Sequence, residues 1–181
     1  MSGIMRYRQL KKAIQKEIKG ETHTSQNIYD NEMFFKEYMR LRGEKGYNDL
    51  LEQPAINKLL LPDIKGKTIL DIGCGYGHNS LIFAQNGAKK VIGIDLSQKM
   101  LKVAKKESCH SCIEYRHMDM SELSTLTQKF DIVYSSLAFH YVENFQKLIK
   151  DVYALLNEGG YLIYSQETSH CNCHNGLQGT S

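Results

Sequence analysis

Nowhere in its 181 residues does the chain carry an apolar run approaching the roughly 20 residues that span a bilayer. Its first residues, Met1-Ser2-Gly3-Ile4-Met5-Arg6, have neither the apolar segment nor the cleavage site of a secretory signal. The five cysteines are an odd number, so a disulfide framework is not expected. There is no internal repeat. Membrane and exported classes are not expected, and the cytoplasm is the expected location. An excess of one charge is also missing from most of the chain. Residues 1–20 hold Arg6, Arg8, Lys11, Lys12, Lys16 and Lys19 against Glu17, a balance of +5, which leaves −2 for the rest of a +3 chain. The basic character therefore sits on an appendage, and a nucleic-acid partner is not expected.

What remains is ordinary globular material, 41% hydrophobic and 24% charged, enough to build one buried core. Phe34, Phe35, Tyr38, Met39 and Leu41 recur at helical spacing between Asn31 and Arg42. Residues 48–60 predict a second helix, started or kinked at Pro54. Short β-branched runs follow at 68–72, 91–94, 113–115, 131–134 and 161–164. Helical stretches at 78–86, 97–107 and 143–156, and a weak turn near 121–127, separate them. The first two and last two runs are apolar without alternation, which predicts a parallel sheet covered on both faces. Asn157-Glu158-Gly159-Gly160 reads as a helix stop and turn before the fifth strand.

The first strand runs into Asp71-Ile72-Gly73-Cys74-Gly75-Tyr76-Gly77 and then at once into a helix. Alternate glycines let backbone approach a ligand, and the helix N-terminus behind them offers free N–H groups. Such a turn is also a plain structural link between strand and helix. Asp95 sharpens the reading, because it ends the second strand twenty residues after Gly75 and can accept both hydroxyls of a ribose. A dinucleotide fingerprint would place a glycine where this chain has His78.

Ile69-Leu70-Asp71-Ile72-Gly73-Cys74-Gly75-Tyr76-Gly77, with Ile92-Gly93-Ile94-Asp95-Leu96-Ser97, resembles the core of class I S-adenosylmethionine-dependent methyltransferases. Phe130 to Val142 resembles their fourth-strand motif, and Leu155 to Leu162 their turn and fifth strand. The resemblance implies a Rossmann-like three-layer α/β/α sandwich with a mostly parallel sheet, lacking the last strands of the full fold. It also implies S-adenosylmethionine as cofactor and S-adenosylhomocysteine as product. Gly73 and Gly75 would line the methionine portion, with Asp71 near its amino group and Cys74 in the same loop. Asp95 would hold the ribose, Leu96 would pack on the adenine, and Asp119 and Met120 would meet its edge. Ser135, at the end of the fourth strand, completes the expected cofactor set. A helix N-cap is an equally good use for Asp119, which precedes Ser121-Glu122.

Methyl transfer from a sulfonium needs alignment and exclusion of water more than catalytic groups. His140 follows directly on a strand end and is the candidate base or substrate contact; the alternative is a histidine that hydrogen-bonds in the pocket wall. Tyr29, Tyr38, Arg42 and Tyr141 are expected as lid and substrate residues, although an aromatic stripe also serves a core. A small molecule is the expected acceptor. No metal site is expected: Cys109-His110-Ser111-Cys112 precedes the third strand, whereas His170-Cys171-Asn172-Cys173-His174 follows the fifth, about a strand length of 17–20 Å away.

These readings divide the chain into a basic extension at 1–26, a domain at 27–167 and an irregular tail at 168–181. The codons of Thr168 to His174 can be chosen so that reading one base later gives a His-Pro segment, as in similar proteins, which suggests an out-of-frame tail on a truncated methyltransferase. A non-catalytic protein that holds the cofactor or its product is the alternative function, and an NAD-dependent dehydrogenase is a weaker third.

Overall fold

The computed structural model describes residues 27–43 and 63–165, with single positions 54, 58 and 60 between them. The extension at 1–26, most of the helix expected at 48–60 and the tail at 168–181 lie outside the described residues. Helix α1 spans Glu32–Gly43 behind a 3-10 turn at Asn27–Asp30. Then β1 (Thr68–Ile72), α2 (His78–Gln85), β2 (Lys90–Asp95), α3 (Gln98–Glu107) and β3 (Ile113–His117) alternate. A 3-10 turn at Met120–Thr125 leads to β4 (Phe130–Ser136), a turn at Phe139–Tyr141, α4 (Phe145–Leu155) and β5 (Leu156–Ser165).

The five strands form one sheet in the order β3-β2-β1-β4-β5, and every neighbouring pair is parallel. The side-chain period of two sorts the apolar residues onto two faces. Leu70, Ile72, Ile92, Ile94 and Val133 meet Leu148, Val152 and Leu155 of α4 on one side. Ile69, Val91, Ile132 and Tyr134 meet Phe83 of α2, with Leu60 and Ile64, on the other. A sheet covered on both faces is the parallel α/β sandwich that the uninterrupted apolar strands predict.

Local chemistry sets the helix starts. Ser97 Oγ accepts from Met100 N at 3.2 Å to open α3, whose last turn carries Lys105 and Lys106 against the negative end of the dipole. Asn144 Oδ1 accepts from Lys147 N at 2.9 Å to open α4.

One expectation is corrected. Asn157 to Gly160 is not a turn that precedes the fifth strand. Instead β5 begins at Leu156, directly after α4, and the four residues form an irregularity inside it. Phe130 pairs with Leu156 but Ile132 already pairs with Tyr161. Asn157 finds a partner across the sheet, donating from Nδ2 to Asp131 Oδ1 at 2.8 Å. A strand at the end of the sheet order tolerates such a bulge, because only one neighbour must be matched. The same position leaves β5 less covered than the inner strands, with Tyr164 42% exposed.

Candidate active site

In a parallel sheet the loops that leave the carboxyl ends of the strands share one edge, and the chain changes direction there between β1 and β4. The loop after β1 is fastened to β2, since Gly73 N and Cys74 N both donate to Ile94 O, at 2.8 and 3.0 Å. Gly73 has φ +70°, and a Cβ built on it would stand 2.5 Å from Ala138 Cβ in the turn after β4. Only glycine lets these two loops touch. At Gly75, with φ +55°, a built Cβ would meet nothing within 4 Å, so the space above the loop is open.

Asp95 closes β2 and holds both flanking loops. Its Oδ2 accepts from Gly75 N and its Oδ1 from Ser97 N, each at 2.8 Å. An ionised carboxylate has about four acceptor positions, so one position on each oxygen remains for a further donor. Burial pushes the Asp95 carboxyl above its ordinary value; the Ser97 and Gly75 N–H groups pull it down, and the charge of Asp30 adds to the rise. Asp71, 2% exposed in β1, accepts from Ser80 Oγ at 2.6 Å. Burial, helped by the charges of Asp95 and Asp71, pushes the Cys74 thiol well up. A shift in this direction lowers the thiolate share on which nucleophilicity depends.

The β4 loop supplies the opposite wall. Ser135 is fully buried and donates from Oγ to Ile72 O at 3.0 Å, so its hydroxyl braces β4 against β1. Leu137 takes the left-handed conformation at φ +52°, its N–H donated to Ser165 O at 3.0 Å. A non-glycine residue held this way stores about 1–2 kcal/mol, and it turns the chain to bring His140 and Tyr141 to the edge. Their rings lie 4.0 Å apart.

The segment before β1 meets this wall. Tyr29 Oη and Tyr141 Oη are 3.1 Å apart, and the Tyr29 ring stands edge-on to Phe34 and Tyr38 at 5.2 and 5.3 Å. Three of the four expected lid and substrate residues, Tyr29, Tyr38 and Tyr141, thus form one group centred on Tyr29, with Tyr141 against His140. The side chain of Arg42 lies outside the described residues.

Asp119 does cap a turn: its Oδ1 accepts from Ser121 N at 2.7 Å, and Glu122 Oε2 accepts from Asp119 N at 3.1 Å. Met120 packs partly buried against the core, and Leu96 is half-buried with its carbonyl 2.8 Å from His117 Nε2.

Two residues of this edge escape sequence reasoning. Asp30 Oδ1 accepts from Ser97 Oγ at 2.6 Å and from Lys99 N at 3.2 Å. Ser97 had a legible signal, the N-cap preference for serine; Asp30 had none, because its partners lie 67 and 69 positions away. Among the described residues no cluster of three or more His, Cys, Asp or Glu side chains is arranged for a metal, and none of the helices is long and apolar enough to cross a membrane. Cys109 is exposed and Cys112 partly buried, while Cys171 and Cys173 lie outside the described residues.

Residues 70–164 match a family model described as a methyltransferase domain. An uncharacterized protein of Haemophilus influenzae is 39% identical over 156 residues, which cover 82% of this chain and 61% of that protein. A ubiquinone biosynthesis O-methyltransferase of Coxiella burnetii is 38% identical over 104 residues, covering 56% of this chain and 44% of its own length. Among solved structures, an S-adenosylmethionine-dependent methyltransferase from Mesorhizobium loti superposes with a TM-score of 0.60 at 39% identity, over 64% of this chain and 53% of that one. The chain therefore spans less than two thirds of each of these relatives.

Proposed function

Because the chain belongs to the class I methyltransferase domain family, we propose that it binds S-adenosylmethionine and transfers the methyl group to a small-molecule acceptor. The observation that carries this reading is the Gly75–Asp95–Ser97 clamp: a half-buried carboxylate held by two N–H groups, with one acceptor position left on each oxygen. Two adjacent acceptors match the two hydroxyls of a ribose. The open space above Gly75 fits the methionine portion, and Asp71 stands in the strand beneath it. Leu96, partly exposed, offers an apolar surface for the adenine, and Asp119 and Met120 follow β3 at the same edge.

When bound, the cofactor supplies an electrophilic methyl group on sulfur. The chain's own residues orient and enclose it. Asp95 fixes the ribose, the β1 loop fixes the amino-acid end, and the Tyr29, Tyr38 and Tyr141 group shields the edge from water. His140 is the group placed to take a proton from the acceptor. A small acceptor is favoured by the O-methyltransferase names among the relatives and by the slight negative balance of residues 21–181. A cytoplasmic site of action is part of this proposal. Within this reading 27–167 is the domain and 1–26 a basic extension.

The test is calorimetric titration of the full chain with S-adenosylhomocysteine, followed by turnover on a panel of phenols and carboxylic acids. Asp95→Ala should abolish binding, whereas His140→Ala should leave binding intact and slow turnover by about 10²–10⁴-fold. A folded chain that binds no S-adenosylhomocysteine overturns the reading.

A further inference from the structure

The N-terminus of α3 is served by two side chains from different parts of the sequence. Ser97 accepts from Met100 N at 3.2 Å, which accounts for one orphan donor of the first turn. Lys99 N, a second such donor, goes to Asp30 Oδ1 at 3.2 Å, and Ser97 Oγ itself donates to that oxygen at 2.6 Å. Asp30 is thus a cap supplied from a distance, with its charge against the positive end of the helix. The exposed Lys99–Glu32 pair at 2.6 Å lies beside it and adds little.

Ser97 also donates its N–H to Asp95 Oδ1 at 2.8 Å. A continuous chain of hydrogen bonds therefore runs from Asp30 through Ser97 to the carboxylate that the cofactor reading assigns to the ribose. Tyr29, next in sequence to Asp30, reaches Tyr141 on the far side of the same edge. The dipeptide Tyr29–Asp30 bridges the loops that follow β4 and β2, and it draws α1 along with it.

We propose that Asp30 is a positioning residue that latches the Asn27–Gly43 segment across the site, and that the latch is coupled through Ser97 to occupancy of Asp95. The coupling half rests on the cofactor reading. Its sign follows from charge. Asp30 and Asp95 repel each other across Ser97, and this opposes closure of the empty site. Hydroxyl donors on Asp95 spread its charge and reduce that repulsion, so the occupied clamp favours the closed latch. By reciprocity, the closed latch tightens the clamp on its ligand.

Amide hydrogen exchange of the full chain, with and without S-adenosylhomocysteine, tests both halves. In the wild-type chain the ligand should slow exchange across 29–43. Asp30→Ala should exchange fast there in both states and bind S-adenosylhomocysteine about ten-fold more weakly. Asp30→Asn keeps an acceptor oxygen in place and should restore most of the affinity, which separates positioning from general loss of structure. Exchange and affinity in Asp30→Ala within two-fold of the wild type would overturn the latch. A wild-type chain that binds no ligand would sink the cofactor reading and the coupling together. The comparison of unliganded exchange would still decide the latch itself.

Discussion

Gly73→Ala tests whether the two loops of the site touch as described. The new Cβ would stand 2.5 Å from Ala138 Cβ, and the position has φ +70°. An L-residue held in the left-handed region costs about 1–2 kcal/mol. Forcing a methyl into a closed contact costs about 1–3 kcal/mol more, so the expected loss is about 2–5 kcal/mol. Gly75→Ala is the internal control, because φ is +55° there but nothing lies within 4 Å of the built Cβ. It should lose only the conformational share, about 1–2 kcal/mol. Urea unfolding at constant m-value measures both. The partner substitution Ala138→Gly removes the methyl that Gly73→Ala strikes, so the double variant should recover about 1–3 kcal/mol relative to additivity. If Gly73→Ala costs no more than Gly75→Ala, or if Ala138→Gly recovers nothing, the loops do not meet at this point and the shape given to the site floor is wrong.

Other expectations follow from the carboxylates. Asp131 accepts from Thr68 N at 2.8 Å, Thr68 Oγ1 at 2.9 Å and Asn157 Nδ2 at 2.8 Å, so Asp131→Ala should destabilise by about 2–4 kcal/mol in urea melts. The Thr68 N–H, ahead of the other partners, holds the Asp131 carboxyl below its ordinary 3.8. Its folded pKa is thus lower than its unfolded one, and its stabilisation is complete above the unfolded value and lost as pH falls through the folded one. Urea midpoints followed from about pH 5 to pH 2 should therefore fall more steeply in the wild type than in Asp131→Asn; parallel curves would refute this. Asp95 is shifted the other way, chiefly by burial, so it takes up a proton at higher pH than an exposed aspartate. Affinity for S-adenosylhomocysteine should accordingly decline on acidification before the fold does, and calorimetry showing no decline while the chain stays folded would count against the ribose role.

Much of this site is legible in the sequence because its chemistry is local. Gly73, Gly75 and Asp95 sit where an apolar run stops, at the carboxyl ends of neighbouring strands, so one stretch of sequence marks both the strand end and the loop beyond it. The fold follows from the same uninterrupted strands. Asp30 is illegible for the opposite reason: its meaning lies in Ser97 and Lys99, which only the folded chain brings near. Asn157 to Gly160 misleads because turn-forming residues also suit a bulge, and only the pairing of β5 with β4 decides between them. Asp119 is balanced between two local readings. The structure shows the capping geometry with Ser121 and Glu122, and that geometry still leaves the residue at the edge where a ligand would lie.

The pairing of β1 with β4 has a consequence for how the protein comes together. The strands β1, β2 and β3 follow one another in the chain and can organise as one unit, and β4 with α4 and β5 as another. Joining them closes a span of 63 residues, the longest step between neighbouring strands in the sheet. That seam is pinned at one end by Asp131 on Thr68 and at the other by Ser135 on Ile72. Gly73 and Ala138 face each other immediately past the second pin. A chain that has formed all its helices but not this seam has two half-sheets: the Gly75–Asp95–Ser97 clamp belongs to the first and the wall carrying His140 and Tyr141 to the second, so the two meet across one site only when the seam closes.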